Sequence, residues 1–193
     1  MMKQIFTFFL LTLIFLSCKA SKDQDQKSAG NQKQALMWFD ATANFSRFIN
    51  KDSIDFYMKK IADLGFTHAV VDIRPICGSV LYDSKIAPKM NEYKGAKAAD
   101  FDFLDYFITK GHALGLEVHA SLNIFSAGHN YTKTGIVYDG HPEWASIVYT
   151  PNQGMISITE DKGDYKYAAM INPANEEYQK YILSILKEAT TMY

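Results

Sequence analysis

Cysteine is nearly absent from this chain, which has only Cys18 and Cys77 among its 193 residues. Two cysteines cannot build the disulfide framework of a small secreted scaffold. An excess of one charge is also lacking, because 20 Lys and Arg residues face 21 Asp and Glu residues, giving a net charge of −1. A nucleic-acid-binding surface needs a basic excess to neutralise phosphates, so we expect no nucleic-acid partner. The 48% content of hydrophobic residues excludes a largely disordered chain.

The one long hydrophobic run, residues 5–16, is too short to span a bilayer. A spanning helix needs about 20 apolar residues, whereas the apolar core of a signal peptide is shorter. The run is preceded by Lys3 and followed by Ser17 and Cys18, an ending that resembles a bacterial lipobox. We therefore predict a lipoprotein signal peptide over residues 1–18, with Cys18 as the lipidated residue. A plain secretory signal with an incidental cysteine is the alternative.

The segment at residues 19–34 has no large apolar side chain. Such a segment cannot bury enough surface to fold, and it is predicted to be a flexible tether. Lipidation of Cys18 would fix the tether to a membrane, which places the protein in the bacterial cell envelope. The folded domain is expected to cover residues 35–193.

Apolar runs alternate with amphipathic segments along this domain. Strands are predicted at residues 35–41, 68–74 and 116–125, and helices at residues 50–64 and 102–114. A third helix is predicted to open at Asn172 and Pro173, with the asparagine as its cap. The long insertion at residues 126–171 contains a predicted hairpin around the turn at residues 151–154.

This alternation predicts an α/β fold with a parallel sheet. Long loops follow the strands and short turns follow the helices, which favours a partial TIM (β/α)8 barrel. The chain holds the first three to four β/α units, too few for a complete barrel, and is expected to be the N-terminal portion of one. A doubly wound sheet is the alternative, although no strand is followed by the glycine pattern of a dinucleotide site.

Polar residues gather near the ends of the predicted strands. Asp40 ends the first strand, Asp72 and Arg74 share one face of the second, and His119 and Asn123 share one face of the third. We expect them to converge at one mouth, with Asp72 and Arg74 as an ion pair. A purely structural ion pair and a core histidine are the alternatives. The spacing of the histidines is not typical of zinc ligands, so no metal or other cofactor is expected.

Several ordered segments resemble the glycosyl hydrolase-like 10 domain, especially as found in Bacteroidota lipoproteins described as alpha-amylase-family-like. They lie at residues 64–75, 80–85, 101–120, 122–123, 127–131, 141–144 and 170–173. The resemblance implies a TIM-barrel domain of a hydrolase that acts on a polysaccharide. It implies that Asp72, Arg74, His119 and Asn123 bind substrate, and that His129 and Asn130 do so as well. Asp40 joins them through its place at a strand end.

The resemblance also implies that the family's acidic residues follow on a next strand, after Tyr193. Glycoside hydrolysis needs two carboxyl groups, and the sequence does not identify them. The catalytic residues are therefore unknown, and the chain alone is expected to be inactive. A non-catalytic glycan-binding lipoprotein is the alternative function.

Overall fold

The structure is a computed structural model that describes residues 33–161 and 168–193. The fold below is that of the unit Gln34–Tyr193. The predicted signal peptide at residues 1–18, including Cys18, lies outside the described residues, as does nearly all of the predicted tether. Within the described part, no helix has the length and apolar character needed to cross a bilayer.

A parallel three-stranded sheet forms the centre of the domain. Its strands are β1 (Leu36–Phe39), β2 (His68–Arg74) and β5 (Glu117–Leu122), in the order β1-β2-β5. The register places Phe39 opposite Val71, and Val71 opposite Ala120. The central strand β2 has the predicted bounds. Because all three strands run parallel, their carboxyl ends meet at one edge, which confirms the predicted α/β class.

Five helices lie in the described part of the chain: α1 (Ala41–Phe48), α2 (Lys51–Asp63), α3 (Phe103–Ala113), α4 (Ile136–Asp139) and α5 (Glu176–Met192). Both helices predicted between the strands are confirmed. Asn50 caps α2 by accepting from the Asp52 N–H at 2.8 Å, and Asp102 caps α3 by accepting from the Asp105 N–H at 3.0 Å. Gly65, with a φ of +82°, follows α2 and ends it.

The sheet and helices share one apolar core. Val71 and Ile73 of β2 are fully buried, as are Ile54 and Met58 of α2 and Phe107 of α3. The ring of Phe48 in α1 packs edge-on to the ring of Phe107, with centroids 5.3 Å apart. Helix α1 therefore covers a part of the core that the predicted strands and helices alone would have left exposed.

Helix α5 begins three residues later than predicted. The prediction of Asn172 as its cap is wrong, because the Asn172 side chain accepts from the Ala174 N–H and makes a turn before the helix. Asn175 is the cap, and its Oδ1 accepts from the Tyr178 N–H at 2.9 Å. Pro173 consequently lies in the turn rather than in the first helical position.

The long connections after β2 and β5 contain short antiparallel pairs. The predicted hairpin is confirmed as β7 (Ile147–Thr150) paired with β8 (Gly154–Ser157). Two pairs were not predicted: β3 (Glu92–Tyr93) with β4 (Ala96–Lys97), and β6 (Ser126–His129) with β9 (Ala168–Met170). A single turn of 3₁₀ helix covers Pro142–Trp144. These pairs stiffen the loops at the carboxyl edge of the sheet.

One face of the parallel sheet is open. Leu36 and Trp38 of β1 are 53% and 60% exposed, on the face that does not carry the helices. Strands β1 and β5 each pair on one side only within the described residues. These residues therefore hold a three-stranded parallel sheet covered on one face, not a closed barrel.

Candidate functional site

Asp72 is a buried carboxyl group near the carboxyl end of β2. Asp72 is only 4% exposed. Burial raises the pKa of Asp72 to about 6; the Asp40 charge adds to the rise, whereas the backbone N–H groups of Ala41 and Arg74 oppose it. Its Oδ1 has no hydrogen-bond partner among the described residues. Asp72 is thus a carboxyl group that can hold a proton close to neutral pH.

Asp40 lies just after β1, on the strand next to Asp72, as predicted. Its Oδ1 accepts from the Ala43 N–H at 2.6 Å and from the Thr42 hydroxyl at 2.9 Å, so Asp40 is the N-cap of α1. Unlike Asp72, Asp40 is exposed. The carboxyl edge therefore carries two acidic groups in different environments, one enclosed and one facing solvent.

Arg74 is fully buried at the end of β2 and reaches into the connection after β5. Its Nη1 donates to the carbonyl oxygens of Asn123 and Ser126, the second at 3.1 Å. Its Nη2 donates to the Tyr178 hydroxyl at 3.4 Å. The predicted ion pair of Asp72 with Arg74 is wrong: no ion pair joins them in the described residues, because the guanidinium is directed at these carbonyls. Arg74 therefore fixes the segment after β5 against the carboxyl end of β2.

Asn123 lies beside Arg74 at this edge, as predicted. Its Nδ2 donates to the Arg74 carbonyl at 3.2 Å. Tyr178 of α5 donates its hydroxyl to the Ile124 carbonyl, which ties α5 to the same segment. Asn123 also lines a shallow cleft of about 450 Å³ between this segment and β9. Its direct contact with a substrate stays a prediction.

A larger cleft of about 630 Å³ opens beside these residues. Its walls come from the segments that follow all three parallel strands, and in parallel α/β folds ligand sites lie at this edge. The side chains that offer hydrogen bonds or a ring to a ligand include Thr42, Ser79, Asn91, Tyr93, His129 and Thr132. The cleft thus combines hydroxyl, amide and aromatic groups.

His129 and Asn130 lie at or near this cleft. His129 lines it, and its Nδ1 accepts from the Thr132 N–H at 3.3 Å. Burial lowers the pKa of His129, which favours the neutral ring. Asn130 is buried, and its Oδ1 accepts from the Tyr138 hydroxyl. His129 is therefore placed to contact a ligand in the cleft, whereas Asn130 does not line the cleft.

The structure does not bring His119 to the carboxyl edge. His119 is paired with Val70 in the first half of β2. Its ring stacks on His68 with centroids 5.2 Å apart, and its Nε2 lies 3.8 Å from Oε2 of Glu117. Strand alternation correctly indicates which face of the sheet a side chain occupies, but not how far it lies from the carboxyl end of the strands. The predicted meeting of His119 with Asp72 therefore does not occur.

No sequence pattern indicates the middle of the cleft wall. Asn91 and Tyr93 stand on the β3–β4 hairpin, which is too short to show strand periodicity. Asp139 also lines the cleft, and its Oδ2 accepts from the Gly135 N–H at 2.9 Å. Gly135 has a φ of +110°, and a Cβ there would lie 2.6 Å from the Cys77 carbonyl oxygen. In the sequence, this close approach was signalled by a glycine at residue 135 followed by an apolar segment.

A comparison with protein families matches residues 35–193 to the family described as Glycosyl hydrolase-like 10. An S-layer-related protein of Niallia circulans is 27% identical, with 91% of this chain and 12% of that protein covered. The chain thus spans about an eighth of the length of this relative.

Solved structures give further similarities. A hypothetical protein from Ruminiclostridium thermocellum aligns with a TM-score of 0.51 and 20% identity, over 81% of this chain and 70% of that one. This supports the α/β fold alone. A GH36 alpha-galactosidase from Geobacillus stearothermophilus aligns with a TM-score of 0.48 and 15% identity, over 84% of this chain and 20% of that one. That similarity is too low for a common fold to be inferred from it.

Proposed function

The chain belongs to the glycosyl hydrolase-like 10 family, and we propose that its domain binds a polysaccharide in the cleft at the carboxyl edge of the sheet. The observation that carries this proposal is the position of the cleft, whose walls follow β1, β2 and β5. Loops after parallel strands are where such folds build their ligand sites. The family assignment supplies the class of ligand.

The chemistry of the cleft fits a sugar. Sugar hydroxyls need donors and acceptors at fixed positions, and Asn91 and Ser79 offer both. The ring of Tyr93 is half-buried and is held edge-on against Phe45, with centroids 6.1 Å apart. A ring fixed in this way offers an apolar surface to a sugar at little cost in conformational entropy.

We propose further that the sheet is part of a TIM barrel, completed by additional strands. The open face with exposed Trp38 supports this proposal, as do the edges of β1 and β5 that have no partner strand among the described residues. Exposed apolar faces and unpaired strand edges favour pairing with further structure. In such a barrel the carboxyl-edge cleft would become one side of the mouth.

Within a complete barrel the protein would act as a glycoside hydrolase on its polysaccharide. Asp72 has the raised pKa that a general acid requires, but its carboxyl group is enclosed and does not line the cleft. The described residues alone therefore support binding better than cleavage. A non-catalytic glycan-binding protein is the second candidate function, and the enclosure of Asp72 is the observation that favours it.

Binding and turnover are tested on one panel of α-glucans, β-glucans and peptidoglycan glycan strands. We expect the chain to bind at least one of them and to release no reducing sugar, because the carboxyl group with the raised pKa, Asp72, is enclosed and does not line the cleft. Turnover by this chain would show that its own carboxyl groups suffice and would make Asp40 and Asp72 the first suspects. An extended reading frame, if present, is assayed in parallel; turnover there supports the hydrolase, and binding without turnover supports the second candidate.

We also propose that the protein is a lipoprotein of the bacterial cell envelope, anchored through Cys18. The apolar run at residues 5–16, the cysteine that follows it and the polar segment at residues 19–34 support this. The description of the Niallia circulans relative as S-layer-related agrees with an envelope location.

The anchor is tested by replacing Cys18 with alanine. Labelled palmitate should enter the native protein and be absent from Cys18→Ala, because the acyl chains attach to this thiol. Cys77→Ala is the matched control, since Cys77 is the other cysteine and lies in the folded domain. Equal labelling of Cys18→Ala and the native protein would show that the assignment is wrong.

A further inference from the structure

Two histidines and a glutamate meet on the open face of the sheet, away from the cleft. His68 begins β2, while Glu117 and His119 belong to the first half of β5. The register pairs His68 of β2 with Leu36 of β1 and with Glu117 of β5. The side chains of His68, Glu117 and His119 therefore project from the same face of the sheet as Leu36. His68 is buried, whereas Glu117 and His119 are exposed. The proposed glycan site uses none of the three.

The separations within this cluster suit a metal ion. Nε2 of His68 lies 3.4 Å from Oε2 of Glu117, and Nε2 of His119 lies 3.8 Å from the same oxygen. All three ligand atoms lie within 4.8 Å of one another. A tetrahedral zinc ion with bonds of about 2.0–2.1 Å holds its ligands about 3.4 Å apart. Small rotations of the exposed Glu117 and His119 would complete the geometry.

Contact with Thr67 orients the ring of His68 so that its Nε2 faces Glu117. Oγ1 of Thr67 accepts from the Ala35 N–H at 3.0 Å and lies 2.6 Å from Nδ1 of His68. When the Thr67 hydroxyl donates to the Ala35 carbonyl, at 3.2 Å, Nδ1 of His68 carries the ring proton and donates to Thr67. Nε2 then presents its lone pair to Glu117, so a cation between them, either a proton or a metal ion, would stabilise this arrangement. Such an outer hydrogen bond is typical of histidines that ligate metals.

We propose that His68, Glu117 and His119 form a binding site for a divalent transition-metal ion, with zinc as the ion that fits best. Two imidazoles and one carboxylate are a ligand set that zinc accepts, and three protein ligands leave a fourth position for water. Histidine spacing did not indicate this site, because His68 and His119 lie on different strands and are joined only by the strand register.

The test is a zinc titration of the purified full chain in detergent, after removal of metal by a chelator, with a chromophoric competitor as indicator. We expect one zinc ion per chain. His119→Ala and Glu117→Gln should each weaken binding at least about 100-fold, because losing a ligand costs more than losing an outer hydrogen bond, which itself costs 10–100-fold. Both residues are exposed, so these variants should fold. His112→Ala is the matched control, an exposed histidine on α3 outside the cluster.

A second readout separates a metal site from a simple histidine–glutamate ion pair. Zinc should raise the melting temperature of the native chain and of His112→Ala, but not that of His119→Ala, because binding to the folded state stabilises it. Cobalt substituted for zinc should give the visible absorption of a tetrahedral site in the native chain and in His112→Ala, but not in His119→Ala. No zinc binding by the native chain, or equal binding by His119→Ala, would overturn the proposal.

Discussion

Replacing Arg74 with alanine is expected to lower the free energy of unfolding by about 3 kcal/mol or more. The guanidinium donates to the carbonyls of Asn123 and Ser126 and to the hydroxyl of Tyr178. Each buried acceptor left without its donor costs about 1–3 kcal/mol, and the lost side chain leaves a cavity as well. The measurement is urea unfolding of Arg74→Ala and the native chain, followed by tryptophan fluorescence and circular dichroism.

Arg47→Ala is the matched control, because Arg47 is the other arginine of the chain. It lies on the exposed side of α1, where its Nη1 donates to Oδ1 of Asn44 at 2.8 Å. The control should change the free energy of unfolding by less than about 0.5 kcal/mol. An equally small effect of Arg74→Ala would contradict the structural role that we assign to its guanidinium.

Replacing Asp72 with asparagine is expected to stabilise the protein at pH 7 by up to about 3 kcal/mol. The pKa of Asp72 is about 6 in the folded state, against 3.8 without burial. Between these values the folded protein binds more protons than the unfolded chain, so its stability falls as pH rises through this window. A difference of about two pKa units corresponds to about 3 kcal/mol. Asparagine cannot ionise and avoids this cost.

The measurement is the free energy of unfolding of both proteins from pH 3.5 to pH 8. The advantage of Asp72→Asn should be near zero at the acid end, grow between about pH 4 and pH 6, and stay constant above. Asp100→Asn, at an exposed aspartate, should show no comparable growth. An Asp72→Asn variant that is less stable at pH 7, or whose advantage does not vary with pH, would refute the burial argument.

Local signals predicted the strand–helix alternation well. Strand β2 was recovered because an apolar run ends at Pro75, and α2 and α3 were recovered because their apolar residues recur at helical spacing. Helix α1 was missed although its buried residues Ala41, Phe45 and Phe48 follow helical spacing. Asp40 was interpreted as the end of a strand, when it is also the cap of this helix.

The remaining elements depend on contacts between distant parts of the chain. Strand β6 pairs with β9 across the long insertion, and each is too short to show a period. The direction of Arg74 likewise depends on where the connection after β5 passes. The same holds for the meeting of His68 with His119, which follows from the register of β2 and β5. Sequence patterns predict elements and faces, whereas the tertiary fold decides which side chains meet.

The central claim is that the cleft at the carboxyl edge binds the polysaccharide. The most direct test is the dissociation constant of the bound glycan for three proteins: the native chain, Tyr93→Ala in the cleft wall, and Tyr149→Ala on the β7–β8 hairpin, where Tyr149 is 69% exposed outside the cleft. We predict that Tyr93→Ala weakens binding at least about tenfold, or about 1.4 kcal/mol, and that Tyr149→Ala leaves it unchanged. Binding that survives in Tyr93→Ala but is lost in Tyr149→Ala, or no binding of any glycan by the native chain, would contradict the account.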